Sequence, residues 1–396
     1  MSQQLIQCTV DACQEMVPQD ELQMHMDRHL AEQLALEEEM ALQANKGDSK
    51  THVKDAFNDN SIQQLSSSST NDIIIDTKYP IAMDLARDTV FWTKLQLINP
   101  AERISNMLPL LTTRLLQIGS TKRNQDIRVI YLCDSAVDQI RTQQYDKGWG
   151  CGYRNCQMLL SYLQKTQING VSFVKHVPNI DGIQYLIDQA WKDGIDRSGA
   201  AQLEHDIVNT SKWIGATEVY ALLIYLGIRC SILDFDSASV ALDDSRLSEF
   251  SNCLLDRVQD YFMSTTNTST NTNDNGSNTV HMTNKAPIYI QHEGHSRTIV
   301  GIEVLNNGEK RNLLVFDPDR PLPQTQAAMD ERGGRVLTSY RLNPHVLGGK
   351  PQYQLLVLGD AIIDHENHIH FIHNKSLLLT KVEQYSMKNL VSVRAM

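Results

Sequence analysis

Apolar residues recur at helical spacing from residue 79 to 118, where Leu85, Phe91, Trp92, Leu95, Leu108, Leu111, Leu115 and Leu116 fall on repeating faces and predict helices. Residues 127–132 (IRVIYL) then read as a strand. After a glycine-rich stretch, Met158, Leu159 and Tyr162 form one stripe with Cys156, Leu160 and Leu163 beside it, which predicts a helix starting near Cys151. Ile183, Leu186, Ile187, Ala190 and Trp191 predict another helix, and residues 213–223 a further one leading into a strand over 229–233. Residues 286–291 read as a strand, His292-Glu293-Gly294 as a turn, and 295–304 as a second strand. Asn306-Asn307-Gly308 is a hairpin signal returning the chain along a third strand over 312–317. The pattern is that of an α+β domain. Two stretches break it: 47–78 is polar and reads as a linker, and the run from Ser264 to Asn278, almost all Ser, Thr and Asn, predicts a disordered insertion over 264–284.

Composition adds a compartment and a charge map. The 396 residues are 41% hydrophobic, no run is long and apolar enough to span a membrane, and the N-terminus lacks a signal-peptide layout. The 7 scattered cysteines argue for thiols in a reducing compartment, so cytoplasm or nucleus is expected. The net charge of -11 disfavours general nucleic-acid binding and suits a basic protein partner. Up to Asn45 the one basic residue is Arg28, against Asp11, Glu15, Asp20, Glu21, Asp27, Glu32, Glu37, Glu38 and Glu39.

Within this acidic module Cys8, Cys13, His25 and His29 read C-x4-C-x11-H-x3-H, which predicts a C2H2 zinc finger over 1–30 with a structural Zn2+. The histidines would share one helix face, and the cysteines would come from the preceding hairpin. Its helix carries acids where a base-reading helix carries Arg, Lys or Asn, so the finger is expected to bind protein rather than DNA. The helix continues over 30–46 as a narrow Leu/Ala stripe, including Leu34 and Ala35, flanked by glutamates.

The richest chemistry lies at residues 146–155, DKGWGCGYRN. A thiol at a helix start meets unpaired backbone N–H groups and the positive end of the helix dipole, which favour the reactive thiolate. The glycines around Cys151 let another backbone approach. A buried structural cysteine is the alternative, and a base decides between them. His295 and Asp317 sit about equally far from the predicted hairpin turn and should be neighbours, giving a histidine oriented by a carboxylate. His292 competes for the base role and Asp319 for the acid. His365, His368, His370 and His373 form another cluster, read as strand alternation rather than a metal site.

Residues 148–155 and 157–160, Trp213-Ile214-Gly215, Gly294-His295-Ser296-Arg297-Thr298 and Asp317-Pro318 closely resemble the zinc-finger-containing ubiquitin peptidases, relatives of the cysteine proteases that process the modifier UFM. The resemblance covers about residues 80 to 396. It implies a papain-like α+β fold over 121–396, cleavage after a modifier's C-terminal glycine, and Cys151, His295 and Asp317 as the triad. The UFM-specific relatives carry Asp-Pro-His, whereas this chain has Asp317-Pro318-Asp319. That departure favours the ubiquitin branch, which implies polyubiquitin chains of the extended, signalling lysine linkage as substrate. The resemblance also suggests Gln139 as oxyanion donor, with Gln143 or Gln144 as alternatives, Trp149 as a roof over a Gly-Gly channel, and Glu218 or Asp319 opposite arginines of the ubiquitin tail. Leu34 and Ala35 would meet ubiquitin's apolar patch, and the helical segment 79–120 would serve as a ubiquitin-binding arm. A UFM-type protease, a non-catalytic ubiquitin adaptor and a nucleic-acid-associated protein are the competing readings.

Overall fold

The computed structural model describes residues 5–8, 13, 16–18, 80–117, 127–168, 171–237, 244–264, 268–273, 278–320, 337–338, 340–363, 368–372 and 377–395. The chain divides into two compact units, Met1–Asp72 and Ile73–Met396.

In the first unit, strands β1 (Leu5–Gln7) and β2 (Met16–Pro18) pair antiparallel, with Leu5 opposite Pro18 and Gln7 opposite Met16. Cys8, buried, follows β1, and Cys13, half-buried, precedes β2, so both thiols lie between the two strands in the chain. His25 and His29, the acidic helix with Leu34 and Ala35, and the 47–78 linker lie outside the described residues.

The second unit begins with helices α1 (Ile81–Arg87) and α2 (Thr89–Thr93), strand β3 (Arg103–Ile104) and helix α3 (Met107–Gln117). Asp88 caps α2 by accepting from Phe91 N at 3.0 Å. The apolar stripe of this segment is turned inward. Met107, Leu108, Leu111 and Leu115 are fully buried, and Trp92 nearly so. Burying that stripe is the larger hydrophobic gain, and it leaves Val90 and Leu97 as the segment's exposed large apolar side chains among the described residues.

The chain continues through β4 (Arg128–Leu132), β5 (Gln139–Ile140), α4 (Cys151–Lys165), the short pair β6 (Gln167–Ile168) and β7 (Val171–Ser172), α5 (Ile180–Lys192), α6 (Arg197–Gln202) and α7 (Ala216–Tyr225). Then come β8 (Cys230–Asp236), α8 (Asp244–Met263), β9 (Thr268–Thr272), β10 (Asn278–Thr283), β11 (Ile288–His292), β12 (His295–Leu305) and β13 (Lys310–Phe316). The remainder is β14 (Arg341–Leu342), α9 (Pro344–Gly348), β15 (Gln352–Leu358), β16 (Asp360–Ile363), β17 (Ile369–Ile372), α10 (Lys381–Ser386) and β18 (Ser392–Arg394).

The main sheet runs β18-β8-β15-β11-β12-β4-β10-β9, with β13 also on β12 and β14 on β13. The long strand β12 is its centre. Its first residues pair with β11, its last with β4, and its other edge with β13. Helix α4 packs on β12 and β11 and is buried from Gly152 through Leu163.

Within the stretch expected to be disordered, 264–284, the described residues form two strands built onto this sheet. Strand β10 runs parallel to β4, Asn278 opposite Arg128 and Met282 opposite Leu132, and β9 pairs antiparallel with β10. Alternating Thr residues suit a half-exposed strand, Val280 supplies an inward apolar anchor, and Asn278 Nδ2 donates to Leu115 O at 3.1 Å. The partner strand lies far away in sequence, so no local signal announces the pairing.

Candidate active site

Cys151 opens α4, and the loop before it is held from beneath. Asp146 accepts the backbone N–H of Gln143 on its carboxylate at 2.8 Å, and its carbonyl accepts the N–H groups of Trp149 and Gly150 at 3.3 and 2.8 Å. The fully buried guanidinium of Arg154 grips the same carboxylate through Nε at 2.8 Å and Nη2 at 2.9 Å. Arg154 also donates to Glu102 Oε2 at 2.6 Å, Tyr145 Oη at 2.7 Å and Gln157 Oε1 at 3.1 Å. A Cβ on Gly150 would stand 2.2 Å from Asp146 Oδ2, and one on Gly152 2.4 Å from the carbonyl oxygen of Ile214. Both positions therefore require glycine if the thiol is to sit where it does.

The other half of the site comes from the sheet. His292 and His295 face each other across the turn of β11 and β12. Thr298 pairs with Phe316, which puts Asp317 one step further along, opposite Arg297, with His295 on the diagonal. Both reach it: His295 Nε2 lies 3.2 Å from each Asp317 oxygen, and Arg297 Nε donates to Oδ2 at 2.9 Å. The backbone N–H of Asp319 donates to Oδ1 at 3.1 Å. Asp319 itself is exposed. The same His295 ring hydrogen-bonds the Cys151 thiol.

The electrostatics follow from these contacts. Burial raises the Cys151 pKa, but hydrogen bonds from His295 and from the side chain and backbone of Ser296 outweigh it, and the thiol is held below its usual value. Burial works against the His295 cation too, yet Asp317 and Cys151 lift its pKa to about 9. Asp317 is pulled to about 2, against its own desolvation, by the bond and charge of His295 and by Arg297. His292 goes the other way. Burial, with Arg297, Lys350 and His295 nearby, lowers it to about 4 although its bond to the Glu293 carbonyl opposes this. Its Nδ1 lies 2.8 Å from that carbonyl and its Nε2 3.2 Å from Arg297 Nη1, so Nδ1 donates and Nε2 accepts. A ring fixed in that neutral form has no nitrogen left to act as a base, and it lies outside the Cys151 contact.

A cavity of about 260 Å³ opens beside Cys151 and His295, bounded by Trp213, Gly215, Glu218 and Gln291 among others. Trp213 is 58% exposed and stands 3.9 Å from where a Cβ on Gly294 would be. Glu218 borders the cavity, but its carboxylate is spent on its own helix, accepting from Gly215 N at 2.7 Å and Thr217 Oγ1 at 2.9 Å, and burial raises its pKa. Trp149 does not line the cavity; it packs edge-on against Tyr153 at 5.6 Å and donates Nε1 to Tyr145 O at 3.3 Å. Gln139 is buried on β5 opposite Ile104, away from the cavity lining. Gln143 turns its amide to Arg141 O at 3.2 Å, and Gln144 is exposed. Of the second histidine cluster, His368 and His370 are exposed, and His365 and His373 lie outside the described residues.

Arg297 and Asn155 were absent from the sequence-derived site, though both carried a signal. Arg297 shares the His295 face by strand alternation, and Asn155 shares the Cys151 face one helical turn on. Asn155 Nδ2 donates to Cys151 O at 2.9 Å and to Ser296 Oγ at 3.2 Å, tying helix to strand. Glu102 had no signal, because its role depends on a partner brought by tertiary packing.

A cysteine at a helix start, hydrogen-bonded to a histidine that a buried aspartate orients, is the constellation of a cysteine peptidase. Residues 126–356 match the model of Peptidase family C78, and the chain belongs to that family. It is 41% identical over 244 residues to zinc finger-containing ubiquitin peptidase 1 of Homo sapiens, covering 60% of this chain and 38% of that protein. It is 38% identical over 192 residues to ubiquitin carboxyl-terminal hydrolase mug105 of Schizosaccharomyces pombe, covering 48% of this chain and 68% of that protein. The chain spans 33 to 38% of the length of the mouse and human zinc finger-containing ubiquitin peptidases. A solved structure of UfSP from C. elegans aligns over 61% of this chain and 36% of that one, with 17% identity and a TM-score of 0.32.

Proposed function

We propose that this chain is a deubiquitinating cysteine peptidase that cleaves after the C-terminal glycine of ubiquitin, in polyubiquitin chains of the extended, signalling lysine linkage, with Cys151, His295 and Asp317 as its triad. The observation that carries the chemistry is the run of contacts from Cys151 through His295 to Asp317. The ubiquitin assignment rests on the names of the relatives and on Asp319 standing where the UFM-specific branch carries histidine.

In this mechanism the Cys151 thiolate attacks the glycine carbonyl. The unpaired N–H groups at the start of α4 face the developing oxyanion. His295, protonated at neutral pH, gives its proton to the departing lysine amine, and the neutral ring then activates water to release the acyl group. Asp317 holds the ring and stabilises its cation, while Arg297 holds Asp317. Gly215 and Gly294, with exposed Trp213, line the cavity beside the thiol, which suits a side-chain-free Gly-Gly end.

The test is labelling by ubiquitin bearing a C-terminal thiol-reactive group, beside a UFM equivalent. A ubiquitin adduct on the wild type that is lost in Cys151→Ala supports the assignment. A UFM adduct alone would move the chain to the other branch, and no adduct with either would favour a ubiquitin-binding adaptor. A panel of diubiquitins then reads linkage.

The reading extends to zinc at Cys8, Cys13, His25 and His29, the described pair of thiols flanking a hairpin turn as that ligand set requires. Chelation is expected to release zinc and weaken capture of long chains, leaving hydrolysis of a single-ubiquitin fluorogenic substrate within about twofold, because the triad belongs to the other compact unit. Equal loss on both substrates would place the metal's role in turnover. Cytoplasm or nucleus is the proposed location.

A further inference from the structure

We propose that Ser296 is a further catalytic residue, donating its hydroxyl hydrogen to the Cys151 thiolate, with Asn155 and Thr298 as the positioning residues that aim it. This rests on the reading of Cys151 as the nucleophile.

The direction of the hydrogen bonds carries the argument. The Cys151 carbonyl can only accept, so the atom of Asn155 that meets it at 2.9 Å must be Nδ2. Oδ1 then faces Thr298, whose Oγ1 donates to it at 2.7 Å. The remaining hydrogen of Nδ2 goes to Ser296 Oγ at 3.2 Å. Ser296 therefore receives a hydrogen from Asn155 and must place its own elsewhere. Two acceptors are in reach, the Cys151 sulfur and the Tyr289 hydroxyl. Tyr289 Oη in turn donates to Gln291 Oε1 at 3.4 Å, leaving its oxygen open to Ser296. While Cys151 is a neutral thiol the two acceptors compete. Once the sulfur is charged it wins, because a hydrogen bond to an ion is about twice as strong as a neutral one. Asn155 and Thr298 are 0% exposed and Ser296 3%, so the bonds that set the direction of the Ser296 hydroxyl are out of solvent. Alternation along β12 makes the arrangement possible, sending His295 and Arg297 toward Asp317 and Ser296 and Thr298 toward α4.

The charged and titratable groups around Cys151 are His295 and Arg297 of β12, Asp317 beyond β13, His292 and Tyr289 of β11, Glu218 of α7, and Cys156 on its own helix. Ser296→Ala changes none of their charges, so its effect on the thiol is that of one lost donor.

The test follows the rate of Cys151 alkylation by iodoacetamide against pH, read on the Cys151 peptide by mass spectrometry. Ser296→Ala is expected to raise the pH midpoint by about one unit, a roughly tenfold loss of thiolate where it titrates. kcat/KM near neutrality should fall by a similar factor. Ser296→Thr, which keeps the hydroxyl, should restore the midpoint, and Thr298→Val should move it the same way by less. Tyr289→Phe should leave it at or below the wild-type value. An unchanged midpoint in both Ser296→Ala and Thr298→Val, or a hydroxyl-independent shift in Ser296→Thr, overturns the proposal. Should Ser296→Ala melt early, Thr298→Val, which does not touch the sulfur, decides alone. Alkylation reports the thiolate without turnover, so this failure is distinct from that of the nucleophile reading, which a hydrolytically active Cys151→Ala would signal.

Discussion

His295→Ala is expected to lower kcat by roughly 10²- to 10⁴-fold, the usual contribution of a positioned acid and base, with its fold intact. His295 is partly exposed, and Asp317 keeps its bond to Arg297 Nε at 2.9 Å, so no buried charge is abandoned. The pH profile is the sharper reading. In the wild type, activity should rise as Cys151 ionises, below the ordinary thiol range, and fall as His295 loses its proton near pH 9, because the amine then leaves unprotonated. In the variant the thiol loses the cation that holds its pKa down, so the residual rate should keep climbing with pH toward the usual thiol value of about 8.5. An alkaline fall at pH 9 persisting in His295→Ala would assign that limb to another group. Asp317→Asn should move the profile in the same sense, since one amide oxygen cannot replace a carboxylate serving His295, Arg297 and the Asp319 N–H together.

Arg154→Leu is expected to have the largest effect on stability, roughly 3–5 kcal/mol, the cost of leaving buried carboxylates without their cation. Asp146 and Arg154 have no exposed side-chain surface, and Glu102 has 9%. The expected fall in Tm is on the order of 10 °C for a domain of this size, read by calorimetry. Arg154→Lys should recover little, because a single ammonium cannot span the acceptors that the fork meets at 2.6 to 2.9 Å. Adding Asp146→Asn and Glu102→Gln to Arg154→Leu should recover part of the loss by removing the orphaned charges. A melt like the wild type's would mean that water reaches this cluster. The variant should also lose activity beyond its loss of folded protein, since Asp146 positions Trp149 and Gly150 just ahead of the nucleophile.

One residue and one helix show how far the sequence could be read. Strand alternation and the Asn306-Gly308 turn brought Asp317 to the correct end of the hairpin, but an irregularity between Ile299 and Gly301 shifts the register. The turn pairs Leu305 with Lys310, which alone would set Asp317 opposite Thr298; the bulge moves it one place, opposite Arg297 and within diagonal reach of His295, a shift that spacing does not encode. Helix α4 makes the other point. Its apolar stripe was legible, and its polar residues Arg154, Asn155, Gln157 and Ser161 prove to be buried as well. Gln157 Nε2 donates to Pro178 O at 2.8 Å, Ser161 Oγ accepts from Asp138 N at 2.9 Å, and Arg154 meets its two acids. Buried polar groups need partners, and here most come from distant segments. The same holds for Glu102, outside the 126–356 family match, and for β10, whose parallel partner precedes it by more than the length of α4 through α8.

The order of the triad along the chain also sets a timetable. At a translation rate of about 5–20 residues per second, Cys151 is made roughly 7 to 30 s before His295 and Asp317 exist. Through that interval the nascent polypeptide carries an ordinary thiol on a helix whose supporting strands, β11 to β13, have not been made. The young chain is thus harmless to any glycine-ended protein beside it at the ribosome exit, and reactivity arrives as a late step of its own synthesis.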